Sequence, residues 1–125
     1  MSTRCCVKVI TKVGKSKKEV MLYHHHDGYP EWVGYDLVRR SKGWEADWRP
    51  YWQIMDVVNS LVKDTKDEYE VTVYNHPDIE YLYTIDCMKR KIKCQECKWV
   101  YEDENGKIID KSIVGREVPI PTSRG

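Results

Sequence analysis

Three consecutive histidines followed by an aspartate are the residues of this sequence that most suggest chemistry. His24, His25, His26 and Asp27 could bind a metal ion, because imidazole and carboxylate groups are common metal ligands. They could equally transfer protons, since histidine titrates near neutrality. The simpler interpretation is that one histidine packs against a sheet while the others are solvated. Because side chains alternate along a strand, His25 points away from His24 and His26, so the three imidazoles cannot share one site unless the strand breaks at His26, and we expect no metal site.

The next residues predict a corner between a strand and a helix. Gly28 can adopt a positive φ without steric cost, and Pro30 suits the first position of a helix, where its missing N–H costs nothing. The unpaired N–H groups and positive dipole of that helix end could bind a phosphate. Alternatively, the Asp27 side chain caps the helix and occupies that position itself. An acidic cap would repel a phosphate, so these two interpretations conflict.

Aromatic residues are concentrated in the predicted helices and the loop between them. Such rings can stack on a nucleobase or form a contact with another protein. They can also form an ordinary core, because the chain contains no Phe. The cluster comprises Trp32, Tyr35, Trp44, Trp48, Tyr51 and Trp52.

Two further motifs have simple structural interpretations. Cys94 and Cys97 form a C-x-x-C pair, but zinc would need two more ligands and the pair lies in a predicted strand. The chain has five cysteines, and we expect all of them to be thiols. The basic run 89–93 is typical of a turn followed by a solvated edge strand. Binding of an anionic ligand or a nucleic-acid backbone is the alternative function of this run.

The hydrophobic pattern predicts two strands, two helices and then four strands. Apolar residues from Tyr51 to Val62 follow the 3.6-residue period of a helix, and Asn105–Gly106 indicates a hairpin turn. The predicted order ββααββββ favours an α+β fold, with both helices on one face of an antiparallel sheet of about five to six strands. The predicted strands cover 5–13, 19–25, 69–74, 79–87, 91–101 and 107–109, and the helices cover 30–40 and 48–62.

Length and charge restrict the class of protein. The chain has 125 residues, the size of a single domain, which we place at 1–118 with a flexible tail at 119–125. Its net charge of +1 argues against a binder of bulk nucleic acid, although a local basic patch is allowed. No apolar run is long enough to span a bilayer, and the first residues lack the core of a signal peptide. We therefore expect a cytoplasmic protein with no membrane partner and no cofactor.

The segment from Tyr23 to Gly34 resembles a family of small uncharacterised proteins of bacteriophages and bacteria. Their signature is approximately Tyr-x-His-Trp-Asp-Gly-Tyr-Pro-x-x-x-Gly. This chain departs from the signature at His26, where Trp or another ring is common. The resemblance covers about the first forty residues well and the rest loosely. The matching residues are Tyr23, His25, Asp27, Gly28, Tyr29, Pro30 and Gly34.

The resemblance implies a phage-type accessory protein, which would act in the host cytoplasm and counter host defence. Our leading hypothesis is a homo-oligomer that binds and sequesters a small anionic, nucleotide-derived signalling ligand. Rings would stack on the ligand, His25 would hydrogen-bond to it, and arginines would neutralise its phosphate. The candidate ligand-binding residues are His25, Asp27, Gly28, Tyr29, Trp32, Arg39, Arg40 and Arg49.

Two alternative functions are open. The protein could inhibit a host defence protein by direct contact through its aromatic helical surface. It could also be a phosphodiesterase that cleaves a nucleotide, with His25 and His76 as the catalytic acid and base. His76 lies in a predicted turn, where catalytic groups are often found.

Overall fold

Two strands open the fold and four more follow the helices, as predicted, and the α+β class is confirmed. The computed structural model describes residues 3–63, 69–73, 76 and 78–121, without the side chains of 109–112. The strands are β1 (Cys5–Val13), β2 (Ser16–His24), β3 (Tyr69–Thr72), β4 (Tyr81–Asp86), β5 (Lys91–Glu102) and β6 (Ile108–Val118). The helices are α1 (Tyr35–Ser41) and α2 (Ile54–Val62), and shorter helical turns cover Pro30–Gly34 and Lys42–Trp44.

The described strands form one sheet in the order β3-β2-β1-β4-β5-β6. Neighbouring strands are antiparallel, as expected, except that β4 runs parallel to β1, with Cys5 opposite Tyr81 and Ile10 opposite Asp86. The sheet is therefore mixed rather than wholly antiparallel. The difference arises because β3 joins the outer edge of β2, and the chain then crosses to the far side of β1. Local alternation of apolar residues carries no information about such a long-range pairing.

Both helices pack on one face of the sheet, as predicted. Alternation along β1 turns Cys5, Val7 and Val9 toward this face, where they share a core with Leu37 of α1 and Leu61 of α2. All five side chains are fully buried, and burial of this apolar surface provides the main driving force for folding.

The opposite face of the sheet carries a smaller apolar cluster. Cys6 and Tyr23 point to this side from β1 and β2, and Ile79 and Leu82 pack against them. Ile79, which precedes β4, therefore covers part of the face that the helices leave open. This arrangement brings His76 and Asp78 close to Tyr23 near the end of β2.

The second helix begins later than its apolar pattern predicts. The N–H of Trp52 donates to the carbonyl of Cys87 at 3.0 Å, which ties the segment before α2 to the turn after β4. Gln53 is extended, with φ −84° and ψ 130°, so α2 starts only at Ile54. A tertiary hydrogen bond thus overrides the local pattern. The first predicted helix is also divided, into the wider π-helical turn Pro30–Gly34 and α1.

The hairpin of β5 and β6 is longer than predicted, since β6 has 11 residues. Its turn lies at the predicted place, with Gly106 at a φ of 79°. Beyond β6, Ile120 packs against the core, so core contacts continue into the segment predicted as a flexible tail, of which residues 122–125 are outside the description. None of the helices within the described residues has the length and apolar character needed to cross a membrane.

Candidate functional site

Asp27 and Gly28 form the predicted corner between β2 and the first helical turn, but their roles differ from those expected. The residue in the left-handed region is Asp27, with a φ of 52°. Gly28 is required for space instead, because a Cβ there would lie 3.0 Å from both the Cys5 Cβ and the Thr3 carbonyl oxygen. The Gly28 N–H donates to that same Thr3 oxygen at 2.9 Å. The corner is therefore pressed against the start of β1.

The side chain of Tyr83 forms a buried hydrogen bond to this corner. Its hydroxyl donates to the Gly28 carbonyl at 2.6 Å, and burial raises the pKa of Tyr83, so the hydroxyl keeps its proton. We expect Tyr83→Phe to lower the free energy of unfolding by about 1.5 kcal/mol, because the buried carbonyl would lose its donor. Urea denaturation measures this loss. Tyr101→Phe, at an exposed ring, is the control, and an equal effect of the two variants would contradict the assigned role.

Within the described residues, no side chain caps the helical turn at Pro30. The main-chain carbonyl of Asp27 accepts the Val33 N–H at 3.3 Å, and Tyr29, extended at φ −60° and ψ 150°, occupies the cap position. The interpretation of the Asp27 side chain as the cap is therefore wrong, because the left-handed backbone of Asp27 presents its carbonyl to the helix. The turn continues directly into α1, since Gly34 and Tyr35 are both right-handed helical, so the helix dipole at Pro30 remains.

Carboxylates surround the rings on the helix side of this corner. The ring centroids of Tyr29 and Tyr81 are 6.1 Å apart. Burial raises the pKa of Tyr81, and nearby negative charges, including the carboxylates of Glu31 and Glu96, raise it further. Because these charges would repel a phosphate, the exposed rings of Tyr29 and Trp32 suit a base or a sugar better than a phosphate.

The three arginines predicted to neutralise phosphate are held by carboxylates of the chain itself. Arg39 and Arg40 donate to Asp36 at 2.7 and 2.8 Å, and Arg49 donates to Asp56 at 2.7 Å. Arg49 is also 91 % buried, being 9 % exposed. The side chains of Arg40 and Arg49 are therefore largely buried and held in ion pairs, and the geometry does not support these two as ligands of a phosphate. Arg39 shares the single charge of Asp36 with Arg40, and its side chain is 60 % exposed.

A cluster of ionisable and aromatic side chains lies at the same end of the sheet, on the face away from the helices. The ring of Tyr23 stacks on His76, with centroids 3.9 Å apart, and meets the edge of His25 at 4.6 Å. The Tyr23 hydroxyl donates to the Asp78 carboxylate at 3.3 Å, which also pairs with Arg4 at 3.3 Å. We name Arg4, Tyr23, His25, His76 and Asp78 the histidine corner.

Each imidazole of the histidine corner has its own polar neighbour. His25 Nε2 lies 3.7 Å from a carboxylate oxygen of Glu70, and His76 Nε2 lies 3.0 Å from the hydroxyl of Thr72. Burial, and then the negative charge of Asp78, raise the pKa of Tyr23 to about 12. Tyr23 therefore remains a hydrogen-bond donor.

Sequence reasoning identified His25 and His76 but missed Arg4 and Asp78. Arg4 precedes β1 and Asp78 precedes β4, so only the parallel pairing of those two strands brings them together. The separation of His25 from His24 is as predicted, since His24 is buried beside Tyr69 on the other face, with ring centroids 4.7 Å apart. The predicted separation of His25 from His26 is wrong, because β2 ends at His24 and the rings of His25 and His26 lie 6.1 Å apart.

The aromatic cluster of the helical region is divided between core and surface. Trp44 and Trp52 are buried and meet edge to face at 5.1 Å, so they form part of the core. Trp32 and Trp48 are exposed. The continuous aromatic helical surface that the sequence suggests is therefore reduced to separate rings.

The C-x-x-C pair does not form a shared site. Cys94 is buried in the helix-side core, whereas Cys97 packs with the cluster on the opposite face. All five cysteines, each within the described residues, are thiols, and burial raises the pKa of Cys94 to about 12. The part of the chain that the structure describes has no group of three or more His, Cys, Asp or Glu arranged to bind a metal.

Comparisons with known proteins give no relative for this chain: no protein-family model matches it, and neither does a curated protein or a solved structure.

Proposed function

We propose that the protein binds a small anionic, nucleotide-derived ligand at the histidine corner and sequesters it. The observation that carries this proposal is the placement of two imidazoles against one tyrosine ring, beside a partly exposed arginine. The side chains of Arg4 and His25 are each 45 % exposed, so a ligand in solution can reach both. The proposal also includes what the resemblance implies, namely that the chain is a phage-type accessory protein that counters host defence.

Arg4 is the cation best placed to neutralise a phosphate. Its Nε faces Asp78, but a guanidinium has five N–H donors, so its terminal nitrogens can bind a phosphate oxygen. His25 and His76 would add hydrogen bonds from the other side of Tyr23. The carboxylates near Tyr81 would repel a phosphate from the helix side, so the phosphate would bind on the face that carries the histidines.

A second candidate function is cleavage of the same ligand. It is favoured by the separate partners of the imidazoles, a carboxylate for His25 and a hydroxyl for His76. These neighbours could orient the two imidazoles for proton transfer to and from a ligand. The third function, inhibition of a host protein through an aromatic helical surface, has less support because Trp44 and Trp52 are buried.

Titration calorimetry against ADP-ribose derivatives and a panel of cyclic dinucleotides tests the proposal. We expect at least one of them to bind, and Arg4→Gln to weaken its binding about tenfold, as expected for the loss of a charged hydrogen bond. Arg116→Gln is a matched control, because Arg116 also pairs through Nε with a carboxylate, at 3.2 Å. No heat at concentrations well above micromolar, or equal effects of the two variants, would contradict the proposed site.

Mass spectrometry of the same mixtures separates sequestration from cleavage. Intact ligand after long incubation supports sequestration, whereas a product that disappears with His25→Ala and with His76→Ala supports cleavage. Product formation that survives both variants would exclude these histidines as acid and base. A stoichiometric partner captured from host lysate, with no bound nucleotide, would favour inhibition of a host protein.

A further inference from the structure

Two lysine-rich turns meet at the end of the sheet opposite the histidine corner. The first, which joins β1 to β2 and includes the adjoining strand ends, carries Lys12, Lys15, Lys17 and Lys18. The second, which joins β4 to β5 and includes the start of β5, carries Lys89, Arg90, Lys91 and Lys93. We name these eight residues the basic end.

The parallel pairing of β1 and β4 is what brings the two turns together. Ile10 lies opposite Asp86, and the Cys87 N–H donates to the Ile10 carbonyl at 2.9 Å. Both turns therefore leave the sheet at the same end, on four neighbouring strands. With strands about 4.8 Å apart, a ligand that spans about 15 Å can contact both turns.

The charges of the basic end are available to a ligand. All eight side chains are exposed, and none of them forms an ion pair with a described carboxylate. Two acids that flank these turns in the sequence, Glu19 and Asp86, have other partners. Glu19 lies 3.8 Å from Lys8, and Asp86 accepts the N–H groups of Met88 and Lys89, each at 3.1 Å. The net charge of +1 for the whole chain therefore conceals a strongly positive end.

An exposed tryptophan borders this basic end. The hydrogen bond from Trp52 to Cys87 holds the segment before α2 against the second turn, so that Trp48 and Arg90 line one open groove of about 380 Å³. The Trp48 side chain is 76 % exposed, and the guanidinium of Arg49 lies 4.9 Å from its ring centroid. One ring face is thus supported by a cation, while the ring remains accessible to solvent.

We infer that the basic end binds single-stranded nucleic acid, with phosphates on the two turns and a base stacked on Trp48. A positive groove combined with an exposed ring is the usual means of binding single strands, because every base has a face that can stack. Glu45 and Asp47 also line the groove. They would repel a phosphate there but can accept hydrogen bonds from the amino groups of a base. The same two acids disfavour the headgroups of an anionic membrane.

This site is independent of the proposed nucleotide site. The nine residues of β1 separate the two ends of the sheet by about 30 Å. Variants of one end therefore leave the other unchanged, and failure of either proposal can be recognised separately.

Fluorescence anisotropy with a labelled 20-nucleotide oligothymidine tests the inference. We expect replacement of the four lysines of the first turn by Gln to weaken binding at least about tenfold. Removing up to four phosphate contacts should also lower the slope of log affinity against log salt by about two to three. Replacement of Lys89, Arg90, Lys91 and Lys93 by Gln should weaken binding and lower the slope to a similar extent. The matched control, Lys42→Gln with Lys63→Gln, Lys98→Gln and Lys107→Gln, removes the same charge from exposed positions elsewhere and should retain the affinity.

Trp48→Ala distinguishes a single strand from other polyanions. We expect it to weaken binding of oligothymidine about tenfold, the loss of one stacked base, without changing the salt slope. Circular dichroism checks that each variant folds. Equal losses in the control variant, or unchanged affinity for Trp48→Ala, would overturn the inference. So would equally strong, lysine-dependent binding to phosphatidylserine vesicles, which would assign the basic end to a membrane surface.

Discussion

Replacing Asp36 with Asn is expected to lower the free energy of unfolding by about 3 kcal/mol, since it removes one partner of a largely buried ion pair. Asp36 accepts hydrogen bonds from Arg39, Arg40 and the hydroxyl of Tyr69, at 2.7, 2.8 and 3.1 Å. Its side chain is 16 % exposed and that of Arg40 is 15 % exposed. Without the carboxylate, the Arg40 charge would be left poorly solvated and uncompensated.

The same carboxylate connects three elements of the fold. Arg40 also donates to the Ser60 carbonyl of α2, and Tyr69 belongs to β3, an edge strand of only four residues. The strand pairs with β2 along all four residues, and the Tyr69 hydroxyl adds a connection to α1. We therefore expect Asp36→Asn to loosen β3 before the rest of the sheet, as hydrogen exchange of its amides would show.

The loss for Asp36→Asn should depend on pH. Burial by itself raises the pKa of Asp36, but hydrogen bonds from Arg40, Arg39 and Tyr69 outweigh it and hold the pKa below its usual value. The folded-state pKa is thus below the unfolded one, so the stabilisation is fully present above about pH 4 and is lost as the pH falls through the folded-state pKa. The difference between wild type and variant should be constant from pH 7 to 5 and shrink toward pH 3.

Urea denaturation at pH 7, 5 and 3.5 measures this dependence. Asp47→Asn is the matched control, because Asp47 is exposed and its loss should change the free energy of unfolding by less than about 0.5 kcal/mol. If both variants lost the same small amount at pH 7, Asp36 would not be the connection that the geometry indicates.

The parts of the fold that follow from local chemistry could be predicted from the sequence. The strands β1 and β2 and the apolar stripe of α2 depend on alternation or helical period, which neighbouring residues determine. The start of α2 could not be predicted, because the hydrogen bond from Trp52 to Cys87 joins residues far apart in the chain. The parallel pairing of β4 with β1 was missed for the same reason.

The same distinction between local patterns and long-range contacts applies to the candidate site. Strand alternation separated His25 from His24, and the structure has this separation, but β2 ends at His24 and the rings of His25 and His26 lie 6.1 Å apart. Arg39 and Arg40 were expected to bind phosphate because of their charge, but their carboxylate partner Asp36 lies one helical turn away on the same helix. That spacing is visible in the sequence and could have predicted the two ion pairs. No comparable signal in the sequence joins Arg4 to Asp78.

Substitution of Gly28 by Ala is expected to lower the free energy of unfolding by about 3 kcal/mol, the upper range for inserting a methyl group into closely packed surroundings. The added Cβ would lie 3.0 Å from the Thr3 oxygen and 3.2 Å from the Arg4 main-chain carbon. These are backbone atoms next to β1, which is held by strands on both sides. They cannot move away as the end of a flexible side chain could.

Gly43→Ala is the matched control for Gly28→Ala. No described atom lies within 4 Å of a Cβ at Gly43, so that alanine should be neutral or stabilise the fold by about 0.5 kcal/mol through the lower entropy of the unfolded chain. Thermal and urea unfolding of the two variants would show the difference, and similar stabilities would mean that the corner is not closely packed. The added methyl group would press on the main chain of Arg4. Gly28→Ala should therefore also weaken ligand binding at the histidine corner under conditions where the variant is still folded. A stability loss with unchanged affinity would separate the packing of the corner from its proposed function.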